Sequence, residues 1–470
     1  MLVLRHTNVN YKYVYIIAII YVLINTSLLF FAPSGVHLSQ GADAASWYNP
    51  ALSLLQHASF VTLDDPTVLQ TYRTPLYPMY EALMLWIGGG DILAIIIGQI
   101  ILLWLTGMVA LKMVEEVLPR RGILALALVV FNPNALGSAH LVQSDVLYMF
   151  MVTITLCCLL LYKHKSNFYF SIVIGLLFGL TCLVRPSGQY LIPMLPLIYM
   201  LIGLTSENNL SIRRHFYNGI LSTIAALFVV FSWAQHNESA GWGYNLATSA
   251  IEEVYFRDNV SYLESVSSDI SLNEASNKIK NNEKNYIESY HNSWPSMTKQ
   301  EQFSILTSYY KKQLITYDSD TIIKGFVESW IGFFGAGGAA NIYNILGIDG
   351  PRSTQIMANF ENHMSRVEAV LLTLLESKPI VVLISVFAFL YVIVLRILGI
   401  IGIISMIRNK DYDVLFILTG VVSYFMLVAL FVGNSRYRLP IDPALIMMSL
   451  YGLTSIKNRN LDACTSATKK

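Results

Sequence analysis

Asp43 stands alone as an acid in Gln40-Gly41-Ala42-Asp43-Ala44-Ala45-Ser46-Trp47-Tyr48. A placed carboxylate of this kind can take a proton from a hydroxyl that is otherwise a poor nucleophile. Three further clusters carry arginine beside proline: Arg73-Thr74-Pro75-Leu76-Tyr77-Pro78, Leu183-Val184-Arg185-Pro186-Ser187-Gly188 and Ser435-Arg436-Tyr437-Arg438-Leu439-Pro440. A guanidinium grips phosphate oxygens in two places, which lysine cannot do. An acid with Arg73, Arg185, Arg436 and Arg438 is therefore a set suited to transfer away from a phosphate. Each member also has a plainer reading. Asp43 heads a run in which Trp47, Ala51, Leu54, Leu55 and Ala58 recur at helical spacing, so it serves equally as an N-cap. Arg73 serves as a lipid-headgroup anchor and Arg185 as a cation at a helix C-terminus. Asp145, in Ser144-Asp145, reads first as a cap, and Asp64-Asp65-Pro66 as a solvated turn.

The elements that must position these residues are membrane spans. Of 470 residues, 54% are hydrophobic and 13% charged, with mean hydropathy +0.52. That is about half the charge of a soluble domain. Apolar blocks near the ~20 residues a bilayer core requires fall at 13–32, 91–112, 122–139, 146–162, 168–184, 189–204, 216–234, 379–403, 412–432 and 440–456. The fold class expected is an all-α polytopic bundle of about ten transmembrane helices. The first block follows Arg5 and Lys12, and Ala42-Asp43-Ala44 resembles a cleavage triplet lying too far beyond it; an uncleaved anchor is expected. The net charge of +1 and the lack of a basic run exclude a nucleic-acid partner. Cys157, Cys158 and Cys182, in apolar blocks, and Cys464 in the tail are expected to be reduced and inert, with no metal spacing.

Charge orients the spans. Lys112 with Arg120 and Arg121, Lys163 with Lys165, Arg213 with Arg214, Arg408 with Lys410, and Lys457 with Arg459 fall on alternate connections. These would be cytoplasmic, with both termini. The opposite short loops hold arginine and no lysine. The organisation expected is a module over 1–234 with a first outer loop at 33–90, an extracytoplasmic segment at 235–378 that is mainly helical, spans over 379–456, and a cytoplasmic tail at 457–470. Residues 75–88 are too short to span and read as an outer juxtamembrane helix, its first turn disfavoured by Pro75 and Pro78. The stretch 379–407 reads as one tilted helix with Arg396 snorkelling inward. Gly332 to Gly338 reads as a membrane-dipping turn. Asn25, Asn209, Asn237 and Asn259 open glycosylation-type triplets by chance.

Taken in order, the four clusters and Ser144-Asp145 resemble the polyprenyl-phosphate-dependent membrane glycosyltransferases of the GT-C fold. The likeness is greatest to bacterial relatives of protein O-mannosyltransferases and of the lipid A aminoarabinose transferase. Gly179-Leu180-Thr181-Cys182-Leu183-Val184-Arg185-Pro186 adds to it. It covers 1–205 well and 379–456 moderately, and does not extend to 235–378. The resemblance implies a sugar donor on a polyprenyl phosphate and a glycan, lipid or protein acceptor, meeting at the outer face of the bacterial inner membrane. It implies Asp43 as base, Arg73, Arg185, Arg436 and Arg438 on the donor phosphate, Tyr77, Asp145 and Tyr437 in support, and inversion at the anomeric carbon. Several relatives carry two adjacent acids where Ala44 follows Asp43, which favours a single base over metal coordination and leaves a divalent metal open. An O-antigen-type polymerase ranks second, since 235–378 carries just Arg257, Arg352 and Arg366. A transporter ranks third, since Arg396 stands alone as a mid-span charge.

Overall fold

The computed structural model describes residues 10–39, 43–162, 166–205, 211–348, 372, 373 and 375–467. Arg5, residues 40–42 of the first-loop cluster, Lys163, Lys165, Asn209, Arg352 and Arg366 lie outside them, as do the side chains of Arg459 and Cys464. The chain is an integral membrane protein built from helices, and the described residues form no extended strand.

The helices run as follows. α1 (Tyr11–Phe31), α2 (Val36–Ser39), α3 (Ala44–His57) and α4 (Leu76–Ile87) precede α5 (Ile92–Val117), α6 (Gly122–Val130) and α7 (Pro133–Ala139). α8 (Asp145–Tyr162), α9 (Phe168–Val184), α10 (Leu195–Thr205) and α11 (Ile212–Ser239) complete the first half. α12 (Ser249–Ser268), α13 (Leu272–Glu288), α14 (Lys299–Leu314), α15 (Ser319–Gly335) and α16 (Ala339–Ile345) follow. The last are α17 (Pro379–Asn409), α18 (Tyr412–Ala429), α19 (Ser435–Arg438) and α20 (Asp442–Ala467). Among the described residues eight helical stretches are long and apolar enough to cross a membrane, or nine with α6 and α7 taken as one bent span. α9 is apolar at 17 residues, one short of that length.

Local chemistry explains the departures from simple rods. The 122–139 block is broken at Asn132-Pro133, where α6 and α7 meet at 54°. Pro133 cannot donate to α6, and the Asn132 side chain accepts from the amides of Asn134 and Ala135 instead. Pro75 and Pro78 do not delay a helix as expected. Pro75 is the N-cap of α4 and Pro78 lies in its first turn, where a missing N–H costs nothing. Residues 379–409 form one helix, as expected, but Arg396 does not snorkel inward: it donates to Asp442 and to the Phe334 carbonyl. α17 and α20 cross closely because Gly402 and Gly452 present no Cβ to the carbonyls of Met448 and Leu398. Asn25, Asn237 and Asn259 are buried, and Cys157, Cys158 and Cys182 are free thiols.

α4 holds one liability. Glu81 is fully buried beside Tyr77, and neither carboxyl oxygen has a hydrogen-bond partner. Burial pushes its carboxyl well above the usual range. Between the ordinary and the raised value the native chain holds a proton that the unfolded chain has lost, so stability falls as pH rises. Glu81→Gln is expected to leave the thermal midpoint near wild type at pH 5 and to raise it at pH 8. The gain grows at up to about 1.4 kcal/mol per pH unit across that window. Equal shifts at the two pH values, read by thermal unfolding in detergent, refute this.

Candidate active site

The connections at one end of the bundle, here called the loop face, bring the four clusters together. Asp43 sits one residue before α3 with φ 60°, and its side chain makes no cap hydrogen bond. The carboxylate turns instead to two arginines, with Oδ2 at 3.5 Å from Arg73 Nη2 and 3.3 Å from Arg436 Nη1. It is half exposed, at 50%, and no hydrogen bond to Oδ1 is formed among the described residues.

Arg73 does not reach for headgroups. Its Nε donates to Ser46 Oγ at 2.9 Å, and its guanidinium lies 4.4 Å from the ring centre of Trp47 and 4.8 Å from that of Tyr72. Burial lowers its pKa from the ordinary value, and the Asp43 charge opposes the shift. Thr74 Oγ1 donates to the Val184 carbonyl at 2.9 Å, tying this loop to the end of α9 and setting Arg73 near Arg185.

Asp145 begins α8 with no exposed surface, and both its oxygens meet guanidinium groups. Arg185 Nη2 lies 2.8 Å from Oδ1 and Arg436 Nε 2.9 Å from Oδ2. Arg185 also donates to Ser144 Oγ at 2.9 Å and lies 5.7 Å from the ring centre of Tyr148. Arg436 therefore bridges the two acids, one buried and one open. Asn434 holds it there by capping α19 through the amides of Arg436 and Tyr437.

Two expected members are placed elsewhere. Arg438 has no exposed surface; its Nε donates to Asp442 at 2.9 Å and its Nη1 to the Phe333 carbonyl at 2.6 Å. Two positions on a helix point about 200° apart, so Arg436 and Arg438 cannot face one cavity. Tyr77 is buried behind the site, packing edge-on to Trp47 at 5.5 Å and donating to Gln99 at 3.1 Å. Tyr437 lines the cavity.

The cavity has a volume of about 350 Å³. It is lined by Asp43, Arg73, Arg185 and Arg436 from the loop face, here called its floor, and by Ile251, Glu252, Tyr255, Phe256 and Lys311, here called its roof. The roof residues come from α12 and α14 and were missed by the sequence reading, because 235–378 carries no motif. The one signal present was Tyr255-Phe256 beside charge in a polar segment. A second cavity of about 250 Å³ runs between α8, α9, α10 and α18. Its lining is mainly apolar, including Val152, Leu156, Phe178, Ile198 and Ile417 beside Thr155, Thr181 and Asp413, and it shares Tyr148 and Phe425 with the first.

Residues 72–233 match the family model of dolichyl-phosphate-mannose-protein mannosyltransferases. In three dimensions the chain is similar to the oligosaccharyltransferase of Archaeoglobus fulgidus in its apo form. The TM-score is 0.52 at 13% identity, over 98% of this chain and 52% of that one. The chain has the GT-C fold. The archaeal oligosaccharyltransferase AglB from Archaeoglobus fulgidus, in complex with an inhibitory peptide and a dolichol-phosphate, matches with TM-score 0.50 at 13% identity over 97% and 52%. The Archaeoglobus fulgidus oligosaccharyltransferase of the apo form, in complex with zinc and sulfate, matches with TM-score 0.51 at 12% identity over 94% and 49%. The chain thus spans about half the length of these structures. No curated protein matches the sequence.

The residues present do not fit a divalent metal at Asp43 and Asp145. The Arg436 guanidinium bridges the two carboxylates, and among the described residues no group of three or more His, Cys, Asp or Glu comes together.

Proposed function

We propose that this GT-C chain is a membrane glycosyltransferase. It moves a sugar from a polyprenyl phosphate to a hydroxyl acceptor at the outer face of a bacterial inner membrane. One observation carries this: a cavity lined by the half-exposed Asp43 carboxylate and three guanidinium groups shares Tyr148 and Phe425 with a mainly apolar cavity inside the bundle. An isoprenoid chain suits the apolar cavity and its phosphate the arginines. The loop face is then the outer face and both termini are cytoplasmic, consistent with Lys and Arg on the opposite connections.

Asp43 Oδ1 accepts the acceptor's hydroxyl proton as the oxygen attacks the anomeric carbon. The bond to phosphate breaks on the far side in the same displacement, which inverts the configuration. The leaving polyprenyl phosphate needs no proton, because Arg73, Arg185 and Arg436 balance the charge that develops on it.

Mass spectrometry of lipid retained by the purified chain tests the proposal. A polyprenyl-phosphate sugar is expected, and supplying acceptor should convert it to the polyprenyl phosphate. Arg185→Ala is expected to reduce the retained lipid about 10- to 100-fold, the loss of one charge-assisted phosphate contact. Retention of no polyprenyl lipid by wild type would end the reading.

A further inference from the structure

α15 has two unlike faces. Thr321, Gly325, Ser329 and Phe333, four residues apart, are buried against the bundle. On the other side Ile323, Val327, Trp330 and Ile331 stand between 41% and 67% exposed. The charges of the helix all lie before Ser329. Asp318 caps it, Asp320 pairs with Lys324 at 2.7 Å, and no charged residue follows Glu328 before Asp349.

The path of the backbone fixes the level of this stripe. Ser329 Oγ donates to the Leu430 carbonyl at 2.6 Å and accepts from the Gly433 amide at 2.9 Å, just past the loop-face end of α18. From there the chain descends. Gly337 lies against Ala388, within the first third of α17, and Gly338 against Asn134 at the inner start of α7. α16 then climbs beside α7, with Asn341 on Gly137, and Gly347 emerges against Pro33 beyond α1. The seven residues of α7 run about 10 Å along an axis bent 54° from α6, so the glycine turn lies less than about 10 Å below the loop face.

A helix that ends at such a depth leaves carbonyls that no water can satisfy. Here Arg438 donates to the Phe333 carbonyl at 2.6 Å and Arg396 to that of Phe334 at 3.4 Å. Asp442 balances both cations and also accepts from Asn132 at 2.8 Å. The two arginines that stand away from the cavity thus cap a helix C-terminus, where positive charge is favoured.

We propose that α15, the glycine turn and α16 form a re-entrant hairpin dipping into the membrane from the loop face. Val327, Trp330 and Ile331 are then seated among the acyl chains of that leaflet, with Ile323, beside Lys324, at the headgroup level above them. Lipid is the occupant because α15 packs on α17, a span whose own Leu383 and Phe387 are exposed, and because past Glu328 the dip carries no charge to meet water or a polar partner. α12 packs on α15, so the hairpin ties the roof of the cavity to the membrane. The inference stands apart from the sugar-transfer reading.

Nitroxide labels on the full chain in lipid nanodiscs test it, with native cysteines replaced by alanine. Val327→Cys and Ile331→Cys are compared with Asp320→Cys, at the charged start of the helix, and with Leu383→Cys, on a span. Labels at 327 and 331 are expected to be relaxed by oxygen as at 383, and several-fold less by a water-soluble nickel chelate than at 320. Relaxation by the chelate equal to that at 320 would overturn the hairpin's immersion. Shielding from both reagents would overturn lipid as the occupant, placing protein over the stripe.

Discussion

Asp43→Asn is expected to lower the rate of sugar transfer about 10²- to 10⁴-fold, the contribution of a placed general base. The substitution is mild in every other respect. At φ 60° the backbone is in the left-handed region, which asparagine occupies readily. The side chain is half exposed, and an amide oxygen still accepts from Arg73 and Arg436. The loss should therefore fall on kcat, with the KM for donor and the thermal midpoint near wild type. Steady-state kinetics beside thermal unfolding separate the two. Wild-type transfer by Asp43→Asn would remove the carboxylate as the base.

Asp145→Ala is expected to act the other way, on the fold as well as on transfer. Its carboxylate is wholly buried and answers both Arg185 and Arg436. Truncation leaves two guanidinium groups without their shared counter-charge at the cavity floor. The cost is about 3 kcal/mol, the low end for breaking a buried pair, because both arginines keep some contact with solvent. A lower thermal midpoint and loss of transfer should appear together. A variant as stable and as active as wild type would show that Asp145 does not position the arginines. The contrast between the two acids is itself informative: one variant loses chemistry with the fold intact, the other loses both.

The division between the acids was only partly legible in the sequence. Asp43 and Asp145 each read first as a helix cap, since a carboxylate before a helix has that use by default. Which of its oxygens meets a guanidinium depends on residues up to 393 positions away, and nothing local encodes that. Arg73, Arg185 and Arg436 were legible because arginine without lysine stands out at the connections opposite the lysine-bearing ones. Arg438 shared that signal, but a helical turn sends it toward Asp442 and the end of α15. The roof was not legible, because α12 and α14 carry Glu252, Phe256 and Lys311 in a segment without motif, and folding alone brings them over Asp43.

By itself the sequence determined the class of molecule. Apolar blocks of bilayer length, charge on alternate connections, and proline beside arginine at the opposite turns are local properties, and each acts wherever the chain goes. The tertiary structure alone decided which arginines share a cavity, that one acid is buried and the other open, and that a glycine turn descends between α7 and α17. Those outcomes depend on how helices distant in sequence rotate about their axes, and packing within the bundle sets that rotation.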